Sequence, residues 1–600
     1  VQTCALPIYI DPLFLRNTAL TPAHIRNSDK FQGSHWVREI YEKELFPNKN
    51  TPQGQPTNIS VLNMAFYPNE RGPYNYDSQN IDTDGNLLNP QNRWAGVMRS
   101  LGTTDFETSN IEYIEFWLMD PFVYDTLAQG GDFYINLGNI SEDVLKDGRK
   151  SFESGLPTTP EMEKLDTTAW GRIPTKQYLP VGFDNDEGKR RYQDIGLDGL
   201  GGTDLDGDGI PDELSFFQTF VNEVRSRVSN DELISRVEND PSSDDFKYYL
   251  ANEFDQNRAT ILDRYKYFNN TENNSPVATS TTSSQSYSTP DVEEFGSDIT
   301  MNENEAYYQY RISLRPSDMQ VGSNYITNVI TGEKDKPNNI PVKWYQFKVP
   351  VSEYERIVGP IDDFKSIRFM RMYLKGFTDT LILRFATLEL VRGEWRKYNY
   401  ALIEGQEGMP SADLPTSTFA ISAVNIEENN KRTPVNYVLP PGVDRVVDPS
   451  QPQLTELNEQ SMEFKIENLA DGDARAAFKN VNVDIRQYKH LKMDVHAEMI
   501  DGFQLKDEEV TAFIRLGTDY TNNYYEYEVP LYLTPHRERF YNNNSEADRE
   551  IVWPRENIIN ITLEDLVDLK IARNDAMNKP GSRITLNTVY EKLVGSKKIK

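Results

Sequence analysis

Residues 111–119 alternate without a break: Ile114, Phe116 and Leu118 share one face of a period-two strand, and Tyr113, Glu115 and Trp117 share the other. After Asp120-Pro121 and a loop ending in Gly130-Gly131, Phe133, Ile135 and Leu137 repeat the pattern. Successive side chains of a strand point to opposite faces, so this alternation predicts half-buried antiparallel strands. Equivalent runs lie at 61–67, which Pro68 closes, and at 307–314, 344–349, 366–374 and 381–391. Residues 490–498 alternate too, with Leu491, Met493, Val495 and Ala497 predicted to face inward and His490 and His496 outward. Between these groups the period changes. Phe217, Phe220, Val221, Val224 and Val228 follow the spacing of a helix with one buried stripe. A second helical stretch is predicted over 244–268, capped by Ser242 or Ser243 after Pro241.

These elements predict a mainly β chain of several antiparallel, jelly-roll-like β-sandwich modules, with a small helical insertion following an acidic loop. Six hundred residues exceed what one hydrophobic core supports, so about three to four domains are expected. An N-terminal extended segment spans 9–57, and the first sandwich 58–182. The acidic loop and helices follow over 183–268, and a Ser/Thr-rich low-complexity linker over 269–290. A second all-β unit is placed at 291–400, a third sandwich at 415–540, and the start of a further unit at 541–600. The run Phe-Tyr-Ile-Asn-Leu137-Gly138 is echoed by Ala-Phe-Ile-Arg-Leu516-Gly517, which predicts a plan shared by the first and third units.

Composition narrows the function classes. A net charge of −30 opposes nucleic acid and anionic membrane surfaces, and favours divalent cations. With 33 Tyr and 28 Phe the chain lacks the signature of acidic disorder. Mean hydropathy is −0.65 and no run approaches the ~20 apolar residues of a membrane-spanning helix. The one cysteine, Cys4, falls in residues 1–8, which read like a translated sequencing adapter and are taken as non-native; both ends are read as truncations. Without it, disulfides, thiolate metal sites and thiol catalysis have no residue to use.

The sharpest local motif is Asp204-Leu-Asp-Gly-Asp-Gly-Ile-Pro-Asp212. Asp204, Asp206, Asp208 and Asp212 occupy positions 1, 3, 5 and 9 of a Ca²⁺-type loop, Gly209 its turn, and the Ile210 carbonyl position 7. Carboxylates so closely spaced repel one another unless a cation neutralises them. Ser215 stands where a sensor EF-hand carries its bidentate glutamate, so the loop is more like a structural Ca²⁺ loop of dockerin or thrombospondin type. The competing reading is a solvated acidic turn. No catalytic constellation emerges: there is no nucleophile elbow, phosphate loop, zinc-type histidine pair or dinucleotide fingerprint, and a non-enzyme is expected. Tyr113, Trp117 and Tyr134, and later Tyr524, Tyr525 and Tyr527, are candidates for a glycan- or protein-binding platform, or for burial beneath a second layer.

Residues 93–101, 104–122 and 138–143 closely resemble the SprA (Sov-like) family of gliding-motility and type 9 secretion proteins of Bacteroidota. Further matches are 70–76, 365–369, 390–395, 433–442 and 523–531, in order along nearly the whole chain. The resemblance implies an internal piece of a very large outer-membrane β-barrel protein, the conduit for secreted cargo. It implies as partners the remainder of the barrel chain, secretion-system components such as PorV and plug-type proteins, and cargo. Some strands could then line the barrel, although the long gaps between them argue against it. The competing class is a cell-surface adhesin or carbohydrate-binding protein built from the same sandwiches.

Overall fold

The computed structural model describes the chain except residues 1–2, 48, 50–57, 161–163, 177–181, 205–206, 276–288, 295–304, 399, 403–416, 448–455, 482–486, 501–503, 538, 587 and 595–596, and describes 3–7 and 594 by backbone alone. The chain divides into two units, residues 1–41 with 58–392, and residues 42–57 with 393–600. It is mainly β, built of antiparallel sheets with short helices between them. No helix of the described residues is long and apolar enough to cross a membrane.

The strands of the first unit are β1 (Thr3–Ile8), β2 (Leu62–Arg71), β3 (Trp94–Ser100), β4 (Ile111–Met119), β5 (Gly131–Asn139), the small hairpin β6 (Leu165–Thr167) and β7 (Arg172–Pro174), β8 (Ala306–Leu314), β9 (Ile326–Lys334), β10 (Pro341–Pro350), β11 (Arg356–Val358), β12 (Phe369–Lys375) and β13 (Leu381–Arg392). One sheet runs β1-β2-β13-β4-β10-β9, the other β11-β8-β5-β12-β3. Without the edge strands β1, β9 and β11, the remaining strands in chain order lie first-eighth-third-sixth in one sheet and second-seventh-fourth-fifth in the other. That connectivity is a jelly roll, two Greek keys closed over one core. The alternating residues meet at its centre. Phe116 stacks on Phe347 at 4.8 Å within its sheet and meets Phe133 of the facing sheet edge-on at 6.2 Å. Ile114, Leu118, Ile135, Leu137 and Leu383 are fully buried around them.

The predicted units 58–182 and 291–400 are therefore one sandwich. β12 lies between β5 and β3, and β13 between β2 and β4. Alternation records which face of a strand is buried and not which strand lies beside it, so the pattern found the strands and missed their pairing. β2 also runs on through Pro68, with β1 paired along it up to Tyr67 and again at Arg71. Pairing at a sheet edge needs backbone alone, so it is independent of the origin of residues 1–8.

The outer face of the β2–β13–β4 sheet is covered as well. Phe14, Ile25 and Val37 of the N-terminal segment pack with Tyr249, Leu262 and Tyr265 onto Ala65, Tyr67 and Ile382. Arg384, buried on that face, donates to Asn63 Oδ1 at 2.8 Å and to the carbonyls of His35 and Arg38. The segment predicted as extended is thus a second layer. Tyr113 and Trp117 are buried, and Trp117 has no free face to offer a ligand.

Residues 140–305 leave the jelly roll between β5 and β8. Within them run α1 (Asp212–Phe216), α2 (Gln218–Arg227) and α3 (Asp231–Asn239). The predicted stripe Phe217, Phe220, Val221, Val224 and Val228 is buried against Leu200 and Val237. Residues 244–268 form no single helix, only the helix Asn252–Gln256 and a tight turn at Asp263–Tyr265. Ser243 sits at φ 59°, in the left-handed region and not the extended one that an N-cap usually takes, and the aromatic side chains that suggested a stripe belong to the second layer. The predicted linker begins as packed chain, with Asn270, Glu272, Asn274 and Ser275 buried; 276–288 lie outside the described residues.

In the second unit Thr418–Asn425 pairs with Gln460–Glu467, His490–Met493 with Ile559–Thr562, and Thr511–Gly517 with Tyr524–Pro530. Lys597–Ile599 joins Tyr524–Pro530, and Trp553 donates its indole N–H to the Val438 carbonyl at 2.8 Å. Residues of 541–600 thus belong to this unit, where the sequence suggested the start of another. The repeated Leu-Gly strands differ in setting: β5 lies between β8 and β12, whereas Thr511–Gly517 pairs with its own hairpin partner. The pairing of 490–498 ends at Met493, which is exposed, while His496 turns in beside Trp553 and bonds Thr534 Oγ1 at 3.0 Å. Tyr527 is buried, and the Arg515 guanidinium lies 4.2 Å over the Tyr524 ring.

Candidate metal centre

The acidic loop keeps part of its predicted form. Gly207 and Gly209 have φ of 81° and 90°, the left-handed turns that glycine allows. Asp204 accepts from the N–H of Gly207 at 2.6 Å and of Gly209 at 2.8 Å, and Asp208 from that of Ile210 at 2.8 Å. Asp204, Asp208 and Ile210 are exposed, and Asp206 lies outside the described residues. Asp212 points the other way: at the start of α1 it is buried and ion-paired with Arg172 of β7. The described members of the motif are therefore not gathered into one shell.

A different acidic group lies just beyond, in the interior of the insertion. Asp198, Glu213, Asp240, Asp244 and Glu272 are all buried. Glu213 comes from the first turn of α1, Asp240 from the end of α3, and Asp244 from the turn that follows. In that turn Asp240 accepts from the N–H groups of Asp244 at 3.1 Å and Asp245 at 3.4 Å, and Glu213 accepts from the N–H of Ser242. One carboxylate oxygen each from Glu213, Asp240 and Asp244 lies within 4.8 Å of the other two, the single such group among the described residues.

The surroundings supply oxygen. Tyr74 donates to Asp244 Oδ2 at 2.7 Å and Thr271 to the same atom at 3.2 Å, while Leu197 N–H donates to the Tyr74 hydroxyl at 2.9 Å. Ser242 donates to Asp198, and Gly202 N–H reaches Glu272 at 2.9 Å. Asp244 Oδ1 is buried and has no hydrogen-bond partner. The nearby guanidinium, Arg71, spends its N–H groups on the carbonyls of Asn75, Pro241 and Asp240.

Burial raises every carboxyl of this group above its usual range. For Asp244 and Glu213 the neighbouring carboxylates add to it, and for Asp240 Arg71 works against it. A second acidic set nearby is already satisfied: Glu153 accepts from Gly196 and Asp291 N–H, Asp194 from Asn274 and Ser275, and Glu293 from Leu145 and Ser151. Those carboxylates pin loops. In the first group the buried Oδ1 of Asp244 is left without a donor amid neighbouring carboxylates, a setting that suits a hard cation.

Sequence reasoning singled out the neighbouring 204–212 loop and did not name Glu213, Asp240 or Asp244. The available signal was the run Asp240-Pro-Ser-Ser-Asp-Asp245, where acids four and five apart flank a proline turn.

A family model described as motility related/secretion protein matches residues 219–598. A comparison with curated proteins finds no match.

Proposed function

The chain belongs to the motility related/secretion protein family, and from that premise we propose that it forms part of the outer-membrane translocon of the type 9 secretion system, also needed for gliding motility. In this reading residues 58–392 are a structural and interaction domain of the conduit, and not an enzyme. The family match carries the reading. The jelly roll supports it by using both edges and faces of its strands internally: β4 is bonded on both sides, and its sheet is packed on both faces. Such strands are spent on a globular domain, which leaves the barrel wall to the remainder of the chain. The proposed partners are that barrel, PorV and plug-type components, and passing cargo, at the outer membrane or cell surface.

One observation favours the competing adhesin or carbohydrate-binding reading. Tyr134 of β5 and Tyr373 of β12 stack at 4.6 Å on the outer face of the five-stranded sheet, beside Gln309, whose side chain donates to the Tyr373 hydroxyl at 2.9 Å. Replacing both tyrosines with alanine in the full-length protein separates the readings. The secretion reading expects cargo export to fall sharply when 58–392 is deleted and to persist in the double variant. Undiminished export after the deletion, with glycan binding lost in the double variant, would overturn it.

A further inference from the structure

We propose that Glu213, Asp240 and Asp244 hold one Ca²⁺ ion inside the insertion, a site distinct from the exposed 204–212 loop. Two independent observations converge on it. Three buried carboxylates present oxygens within 4.8 Å of one another, a spacing that one ion bound at 2.3–2.6 Å to each can span. Asp244 Oδ1 is fully buried without a partner, while Tyr74 and Thr271 hold Oδ2 of the same side chain. A buried acceptor left unmade costs about 1–3 kcal/mol, and more when charged, and a cation bound at Oδ1 would offset that cost.

The donor set selects the ion. Carboxylates, hydroxyls and carbonyls are available and no imidazole or thiolate is among the three residues, which suits Ca²⁺ or Mg²⁺ rather than zinc or copper. Mg²⁺ demands near-ideal octahedral geometry and retains its waters, whereas ligands drawn irregularly from a helix start, a helix end and a turn suit Ca²⁺. The ion would also tie α1 to the end of α3 and to the turn at Ser242. This inference is independent of the secretion reading.

The test uses the 600-residue chain, treated with EDTA, dialysed and titrated with CaCl₂ by calorimetry while Tm is followed. About one Ca²⁺ per chain and a rise in Tm are expected. Asp244→Asn and Glu213→Gln should each weaken binding by roughly ten-fold or more, while Asp204→Asn changes it less than about two-fold. In EDTA, Asp244→Asn should melt no lower than wild type, because it removes a charge from a crowded acidic group. Should the variants fail to fold, Tb³⁺ bound to wild type reports instead, through emission sensitised by Tyr74 and quenched by added Ca²⁺. Absence of both heat and Tb³⁺ emission in wild type would overturn the proposal. So would binding lost in Asp204→Asn but retained in Asp244→Asn, or equal displacement of Tb³⁺ by Mg²⁺.

Discussion

Gly196 shows how tightly the acidic interior is built. Its φ is 79°, and a Cβ placed on it would fall 2.1 Å from Asp244 Oδ2. Gly196→Ala combines a left-handed penalty with a collision against a fixed carboxylate. It should cost roughly 3 kcal/mol, read as a lowered urea midpoint. Glu293 makes the case for pH. Burial pushes its carboxyl up to about 7 from 4.5, with Asp143 and Asp147 adding to the effect against two backbone N–H donors. The folded chain then holds this proton more tightly than the unfolded chain does. Between those two values the folded state binds more protons, so stability falls as pH rises through the window and is flat beyond it. Glu293→Gln should reduce that slope, measured as the difference in urea midpoint between about pH 4.5 and pH 7.5. An unchanged slope would show that this carboxyl is not the titrating group.

At the scale of elements, the jelly roll depends on strands far apart in sequence. β4 pairs with β10 and β13, more than 200 residues downstream, so no local segment can form the sheet by itself. Phe116 lies where both sheets meet, fully buried against Phe347, Phe133 and Phe385. Phe116→Ala should cost about 4 kcal/mol, since the aromatic neighbours on both sheets limit how far the cavity can collapse. The helices follow another logic. The stripe on α2 was legible because it repeats along one short element, whereas α3 has a single fully buried residue, Val237, and was missed. The region 244–268 misled because its aromatic side chains serve a layer assembled from distant segments.

For the whole molecule, two units with separate cores predict unfolding in more than one step. Calorimetry should give a total enthalpy larger than the van't Hoff value of either transition. Phe116→Ala should lower one transition and leave the other in place; a single transition shifted as a block would contradict the division. The family match, over residues 219–598, takes in residues of both units. By itself the sequence determined the β-rich class, the positions of most strands of the first unit, the faces they bury and the acidic character of the insertion. Those properties are written in local periodicity and residue type. Tertiary structure alone decided that two predicted units are one jelly roll, that Trp117 is buried, and that Glu213, Asp240 and Asp244 meet while Asp212 turns to Arg172. Each depends on which distant backbone lies alongside, and side-chain alternation carries no record of that partner.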